Sequence, residues 1–196
     1  RLEADQVVVE QRPDQVFPPG QLEEDVRPRE RGQGNHFVST VGSDVLPREL
    51  ADAIQRGVTG AFSGGISYGY PVIDVEAALS NAAVNPNTAT ALAFEAAGAL
   101  AFDAACQKAG PVLLEPIMKV DVFSPEDNVG DVIGDLNTRR AQVQGMDQRA
   151  GKTIVCALVP LAEMQRYATD VRSLTQGRGL FSMTFDHYEQ VPHHLQ

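Results

Sequence analysis

The order of hydrophobic patterns in the second half of the chain limits the fold more than any other feature of the sequence. Met118, Val120 and Val122 alternate with polar residues, which predicts a half-buried strand. Five further patterns follow, namely a helix, two strands, a second helix and a last alternating strand, at 129–136, 141–145, 152–159, 161–171 and 181–186. This β-α-β-β-α-β order predicts a ferredoxin-like domain, with both helices on one face of an antiparallel sheet.

Local signals refine the prediction for this half. Ser124 and Pro125 precede two acidic residues, so we expect the Ser124 hydroxyl to cap the first helix and Pro125 to occupy its first turn. Gly130 and Gly134 lie one turn apart in that helix, where each costs about 1 kcal/mol of helix propensity. They therefore predict a close approach to a neighbouring element. The strand at Ile154–Val159 is apolar throughout and should be central in the sheet.

The first half of the chain predicts a separate α+β domain. Three short strands are expected, at Gln6–Glu10, Gln21–Val26 and His36–Val41. Apolar residues at helical spacing predict a helix of about four turns between Pro47 and Gly64. Alternation over Tyr70–Leu79 predicts a strand with one wet face, and the polar segment Ser80–Thr90 follows it.

An alanine-rich stretch closes this half. Ala91–Ala109 predicts a helix that packs closely against a sheet. Its packed face is expected to consist of Phe94, Ala97, Ala101 and Ala105. Gly110 and Pro111 should end the helix, so we expect two domains, at 1–110 and 111–196.

Composition excludes several classes of protein. A formal charge of −10 over 196 residues argues against non-specific binding to DNA or RNA, so any RNA contact must be local. No window approaches the roughly 18 apolar residues that span a bilayer, and no signal segment opens the chain, so we expect a cytoplasmic protein. Cys106 and Cys156 fall in apolar patterns that favour buried free thiols. The chain starts at Arg1 without a methionine, so we expect a fragment of a longer protein.

No pattern predicts a catalytic or metal site. Gly151-Lys152-Thr153 does not fit a phosphate loop, because five residues separate Gly145 from Gly151 where that motif has four, and a strand follows it. His187, His193 and His194 occupy a polar tail without a carboxylate or thiol at ligand spacing, which favours solvated side chains.

Arginines are the candidate binding residues. Arg139 and Arg140 end the first helix of the second half, where a cation also complements the helix dipole, so a structural role stays open for this pair. Arg178 lies between two glycines and is suited to grip phosphate. Whether these three and Arg172 meet in one patch is left open by the sequence.

Several long strings resemble one known family. In the second half these are LLEPIMKV, GDVIGDLNTRR, VPLAEM and YATDVRSLTQGR, between Leu113 and Arg178. They resemble the last domain of the translation elongation factor G family. A weaker resemblance to the preceding domain of that family continues upstream, in LPRELADAIQRGV, GYPVIDV and LAFEAAGALAF.

The resemblance implies an α+β architecture, with a ribosomal-protein-S5-domain-2-like arm followed by a ferredoxin-like βαββαβ domain. It implies that the arm reaches into the decoding region near tRNA, with Asn85, Pro86 and Asn87 at its tip. The final domain would dock near the GTPase-associated rRNA of the ribosome. Its rRNA-binding residues would be Arg139, Arg140, Arg172, Gln176 and Arg178. GTP would bind to N-terminal domains of the same protein, so this chain alone is expected to be no enzyme and to hold no cofactor.

Two departures from the family pattern concern the tip. The glycine-rich loop of the form GGRGQYGH is not found, so we expect that it precedes Arg1 or is displaced by the connection 12–34. Asn85 stands where the other tip loop usually carries a histidine, and it loses a group able to carry positive charge. Asn85-Pro86-Asn87-Thr88 also fits a turn and N-cap for the next helix.

Four hypotheses follow for the function. The leading one is a C-terminal fragment of a factor-G-like GTPase that binds the ribosome and places its arm in the tRNA site during translocation. The change at Asn85 keeps open a divergent paralogue that acts in ribosome recycling, rescue or antibiotic protection. A free-standing ribosome-binding module is a third, and metabolite sensing by the ferredoxin-like half is a fourth.

Overall fold

The computed structural model describes residues 6–9 as backbone and residues 22–66, 69–84, 89–149 and 151–195 in full. It divides into two compact units, Asp5–Leu113 and Leu114–Gln196, and each contains two helices. The mixed α+β class is confirmed. The domain boundary at 110/111 stays a prediction.

The N-terminal unit contains a three-stranded sheet and two helices. Its elements are β1 (Gln6–Val9), β2 (Leu22–Pro28), β3 (His36–Ser39), α1 (Arg48–Gly64), β4 (Val75–Ala82) and α2 (Ala91–Ala109). The sheet order is β2-β4-β3. β2 runs antiparallel to β4, and β3 runs parallel to it. Helix α1 therefore forms the crossover between two parallel strands.

Helices α1 and α2 approach each other closely through two glycines. A β-carbon on Gly57 of α1 would overlap the backbone carbonyl of Glu95 in α2. A β-carbon on Gly98 of α2 would lie 2.9 Å from the carbonyl oxygen of Ile54 in α1. Around this crossing lies the core of the unit, whose largest fully buried side chains include Ile54, Val58, Leu79 and Phe102.

Strand β4 begins later than the sequence pattern predicts. The expected strand started at Tyr70, whereas β4 starts at Val75, because Asp74 adopts a left-handed backbone with φ 54°. The Asp74 carboxylate is buried and accepts hydrogen bonds from the amides of Gly32 and Gly34, at 3.0 and 2.8 Å. A residue expected on a wet strand face thus anchors the loop between β2 and β3.

Helix α2 has the predicted bounds but a different packed face. Its buried residues are Phe94, Gly98, Phe102, Ala105 and Cys106, while Ala97 and Ala101 are only half-buried. The helix is capped by Thr90, whose hydroxyl accepts a hydrogen bond from the Ala93 amide at 3.2 Å. The N-cap expected within Asn85–Thr88 is therefore wrong, and those four residues lie outside the described part of the chain.

The C-terminal unit has the ferredoxin-like topology. Its elements are β5 (Pro111–Ser124), α3 (Val129–Thr138), β6 (Gln142–Arg149), β7 (Lys152–Pro160), α4 (Tyr167–Leu174) and β8 (Leu180–Gln190), with 3-10 turns at Glu126–Asn128, Leu161–Met164 and His193–Leu195. These strands lie in the order β8-β5-β7-β6, all antiparallel to their neighbours. The predicted fold and the central position of β7 are confirmed.

One face of this sheet forms the core beneath the two helices. Val120 and Val122 of β5 lie opposite Ala157 and Val155 of β7, and all four side chains are buried. Helix α3 covers them with Val132 and Leu136, and helix α4 with Tyr167 and Val171. The apolar stripe predicted for α3 is therefore its packed face.

Three local predictions for this unit are wrong. The Ser124 hydroxyl donates to the Pro125 carbonyl at 3.0 Å and caps nothing, because a 3-10 turn separates it from α3. The second helix is interrupted at Arg166, whose φ of 62° separates the 3-10 turn Leu161–Met164 from α4. Gly130 and Gly134 contact no close neighbour, since β-carbons there would meet no atom within 4 Å.

Neither cysteine forms a disulfide, and neither is poised to react. Burial raises the pKa of the Cys106 thiol to about 12, with Asp103 and Glu24 adding to the effect. Cys156 is half-buried, and burial also raises its pKa, with a hydrogen bond to Asp121 adding to it.

Within the described residues, no helix is both long and apolar enough to cross a membrane.

Substitution by alanine should have opposite effects at Gly57, which is crowded, and at Gly134, which faces open space. Gly57→Ala should destabilise the N-terminal unit by about 1–3 kcal/mol, because the new methyl group forces α1 and α2 apart. Gly134→Ala should stabilise the C-terminal unit by up to about 1 kcal/mol, because the methyl group enters open space on a helix. Urea unfolding followed by circular dichroism measures both. A neutral Gly57→Ala would mean that the helices do not touch at this point.

Glu24 on β2 predicts a pH dependence of stability. Its side chain is 1% exposed, and burial raises its pKa to about 8. Between its ordinary pKa and 8 the folded state keeps a proton that the unfolded chain releases, so the free energy of unfolding should fall as pH rises. Over pH 5 to 8 the loss should be on the order of a few kcal/mol. Glu24→Gln should remove this part of the slope, and a wild-type-to-variant difference that is constant from pH 5 to 9 would contradict the prediction.

Candidate functional site

Arg139 follows the last residue of α3 and is held by acidic neighbours. Its guanidinium donates to Asp135 at 2.8 Å and to Asp170 on α4 at 2.6 Å. It also donates to the backbone carbonyl of Glu163 at 2.7 Å and lies 4.9 Å from the ring centre of Tyr167. Its side chain is only 14% exposed, so these contacts fix the C-terminal end of α3 against α4.

Arg140 makes the most buried ion pair of the C-terminal unit that the structure describes. Its two terminal nitrogens donate to the two oxygens of Glu115 at 2.7 and 2.8 Å, and Nε donates to Glu163 at 2.9 Å. The Glu115 side chain is 4% exposed. These hydrogen bonds raise the pKa of Arg140 above its ordinary value, with Glu115 the largest cause. Arg140 also adopts a left-handed backbone, with φ 56°.

The contacts give both residues a structural role. The two guanidinium groups form ion pairs with four carboxylates. Two of these, Asp135 on α3 and Asp170 on α4, both pair with Arg139, which thereby links the two helices. The geometry therefore supports the structural role that the sequence left open for Arg139 and Arg140. An rRNA contact through Arg139 or Arg140 stays a prediction.

The other candidate residues cluster where α4 ends, at the loop Thr175–Gly179. The Gln176 amide donates to the Ser173 carbonyl at 3.3 Å, and the Gly177 amide to the Arg172 carbonyl at 2.7 Å, which is the Schellman pattern. Gln176 occupies the left-handed position of this motif, with φ 55°, where glycine is usual. Arg172, Gln176 and Arg178 all have exposed side chains.

Buried polar groups hold this loop in shape. The Thr175 hydroxyl donates to the Val171 carbonyl at 2.6 Å and accepts from the Gly179 amide at 2.7 Å. A β-carbon at Gly179 would overlap the Thr175 side chain. The loop therefore presents one cation, Arg178, and the side-chain amide of Gln176 on a backbone with little freedom, which suits recognition of a phosphate.

The predicted tip residues Asn85, Pro86 and Asn87 lie outside the described residues. Among the described residues, Leu22 at the start of β2 pairs with Ala82 at the end of β4, so these two strand ends lie at the same end of the sheet. The loop between β2 and β3 lies at the opposite end, since Pro28 pairs with Val75.

The sequence analysis missed the residues that shape the site. No motif pointed to Asn128, Glu115 or Glu163, because their partners lie on other elements. Thr175 bonds locally, to Val171 and Gly179, each four residues away. One pairing had a local signal: Asp135 on α3 and Arg139 at its C-terminal cap stand four residues apart, a spacing typical of helical ion pairs.

Comparison with known proteins assigns both halves of the chain. Residues 19–110 match the family model described as "Elongation factor G, domain IV", and residues 112–196 match "Elongation factor G C-terminus". The chain belongs to the elongation factor G family. This confirms the resemblance drawn from the sequence strings.

A curated relative supports the family, and a solved structure supports the fold. Elongation factor G of Aquifex pyrophilus is 49% identical over 171 residues, which cover 87% of this chain and 24% of that protein. A crystal structure of a Thermus thermophilus protein is 32% identical with a TM-score of 0.81, and the match covers 97% of this chain and 30% of that one. The chain thus spans about a quarter of the length of the curated relative that it matches.

Arg140→Ala should strongly lower the free energy of unfolding of the C-terminal unit. The substitution leaves Glu115 buried without its partner, which should cost about 3–5 kcal/mol at neutral pH. Urea unfolding at pH 7 measures the loss of stability. Arg172→Ala, at an exposed position, is the matched control and should stay within about 0.5 kcal/mol of wild type. Equal stability of the two variants would contradict the structural role of Arg140.

Proposed function

We propose that this chain forms the two C-terminal domains of a translation elongation factor that binds the ribosome. The observation that carries the proposal is the match of its two halves, in order, to domain IV and the C-terminus of elongation factor G. The 49% identity to a protein named elongation factor G favours elongation over the recycling, rescue or protection roles.

In this proposal the C-terminal unit binds rRNA through the exposed residues Arg172, Gln176 and Arg178. Arginine binds phosphate through paired N–H donors, and the loop Thr175–Gly179 holds Arg178 on a constrained backbone. The overall charge of −10 requires such a contact to be local.

The N-terminal unit would act as the arm that enters the tRNA site during translocation. Its tip would be the end of the sheet where β2 begins and β4 ends, which is also where the chain leads to Asn85. GTP binding and hydrolysis would belong to N-terminal domains of the same protein. The contribution of this chain would then be steric, with cytoplasmic ribosomes as its partner.

Co-sedimentation of the chain with purified bacterial ribosomes over a series of salt concentrations tests the proposal. Wild type should pellet with ribosomes, and Arg178→Glu should bind more weakly with a salt slope lower by about one, because one phosphate contact is lost. Arg149→Glu is the matched control, since Arg149 is exposed on β6 and paired with Asp147. Wild type that stays in the supernatant at every salt concentration would overturn the proposal.

A further inference from the structure

Asn128 links the start of α3 to both sides of the loop Thr175–Gly179. It lies in the 3-10 turn Glu126–Asn128 and is 8% exposed. Its side-chain amide donates to the carbonyl of Leu174 at 3.1 Å, and its side-chain oxygen accepts from Nη2 of Arg178 at 3.1 Å. One buried side chain thus holds the last residue of α4 and an exposed guanidinium at once.

Hydrogen bonds of the main-chain amides fix the backbone around Arg178. The Arg178 amide donates to the Thr175 carbonyl at 3.0 Å, and the next amide, of Gly179, donates to the Thr175 hydroxyl. Only the side-chain torsions of Arg178 remain to be set, and the hydrogen bond to Asn128 restrains them.

The same hydrogen bond leaves most of the guanidinium available. An arginine side chain has five N–H donors, and among the described residues the side-chain hydrogen bond of Arg178 is the one to Asn128. The remaining donors belong to an exposed side chain whose direction is restrained. A donor set that is oriented before binding loses less conformational entropy when a phosphate arrives.

We propose that Asn128 is a positioning residue for phosphate recognition, which orients Arg178 toward an RNA backbone while touching no RNA itself. The inference rests on the proposed ribosome binding and adds a residue and a mechanism to it. It predicts that orientation and charge of Arg178 contribute separately to affinity.

Ribosome co-sedimentation at several salt concentrations separates the two contributions. Asn128→Ala should bind about tenfold more weakly, the low end of what a hydrogen bond to a charged group contributes, with the salt slope unchanged because the cation remains. Arg178→Ala should bind more weakly and also lower the slope by about one. In the double variant, Asn128→Ala should cause no further loss, because it acts through Arg178. Additive losses, or a lower slope for Asn128→Ala, would overturn the inference.

Arg178→Lys tests the same idea without altering a buried residue. Lysine keeps the charge but replaces the planar donor set with a mobile ammonium group, so the variant should keep the wild-type slope and lose about tenfold in affinity. Wild-type affinity of Arg178→Lys would show that orientation is irrelevant and would overturn the inference even if Asn128→Ala failed to fold. Absence of wild-type binding would instead overturn the proposed function.

Discussion

The buried ion pair between Glu115 and Arg140 is the contact on which the arrangement of the C-terminal unit depends. Glu115 lies near the start of β5, and Arg140 occupies the turn between α3 and β6. A third partner, Glu163, belongs to the 3-10 turn before α4, and its backbone carbonyl also receives Arg139. The first strand of the unit, the turn after α3 and the 3-10 turn before α4 are therefore joined at one point, which holds α3 and α4 where Asn128 can reach the end of α4.

The topology of this unit could be predicted because hydrophobic periodicity is a local property of the chain. Val120 and Val122 alternate with polar residues since one face of β5 meets the helices, and Ile154–Val159 is continuously apolar because β7 is central. The late start of β4 was missed because a distant partner overrides the local pattern. Asp74 reads as a strand residue, yet its carboxylate binds the amides of residues about forty positions earlier in the chain.

The candidate site shows the same contrast between local patterns, which the sequence reveals, and distant partners, which it does not. The sequence singled out arginines because a guanidinium suits phosphate, and their contact with rRNA stays a prediction. It could not separate arginines that have carboxylate partners from those that face solvent, since Asp170 and Glu163 lie 31 and 23 residues from their arginines. Asn128 escaped notice for a similar reason: 46 and 50 residues separate it from Leu174 and Arg178.

The two structural arginines also bear on how an acidic chain can bind an anion. Asp135, Asp170, Glu115 and Glu163 would together place four negative charges around the helices of this unit. Arg139 and Arg140 halve that charge, and they do so within direct hydrogen-bonding distance, where salt screens little. Under the proposed function, this neutralisation by Arg139 and Arg140 would lower the negative charge that an RNA backbone meets at the C-terminal unit.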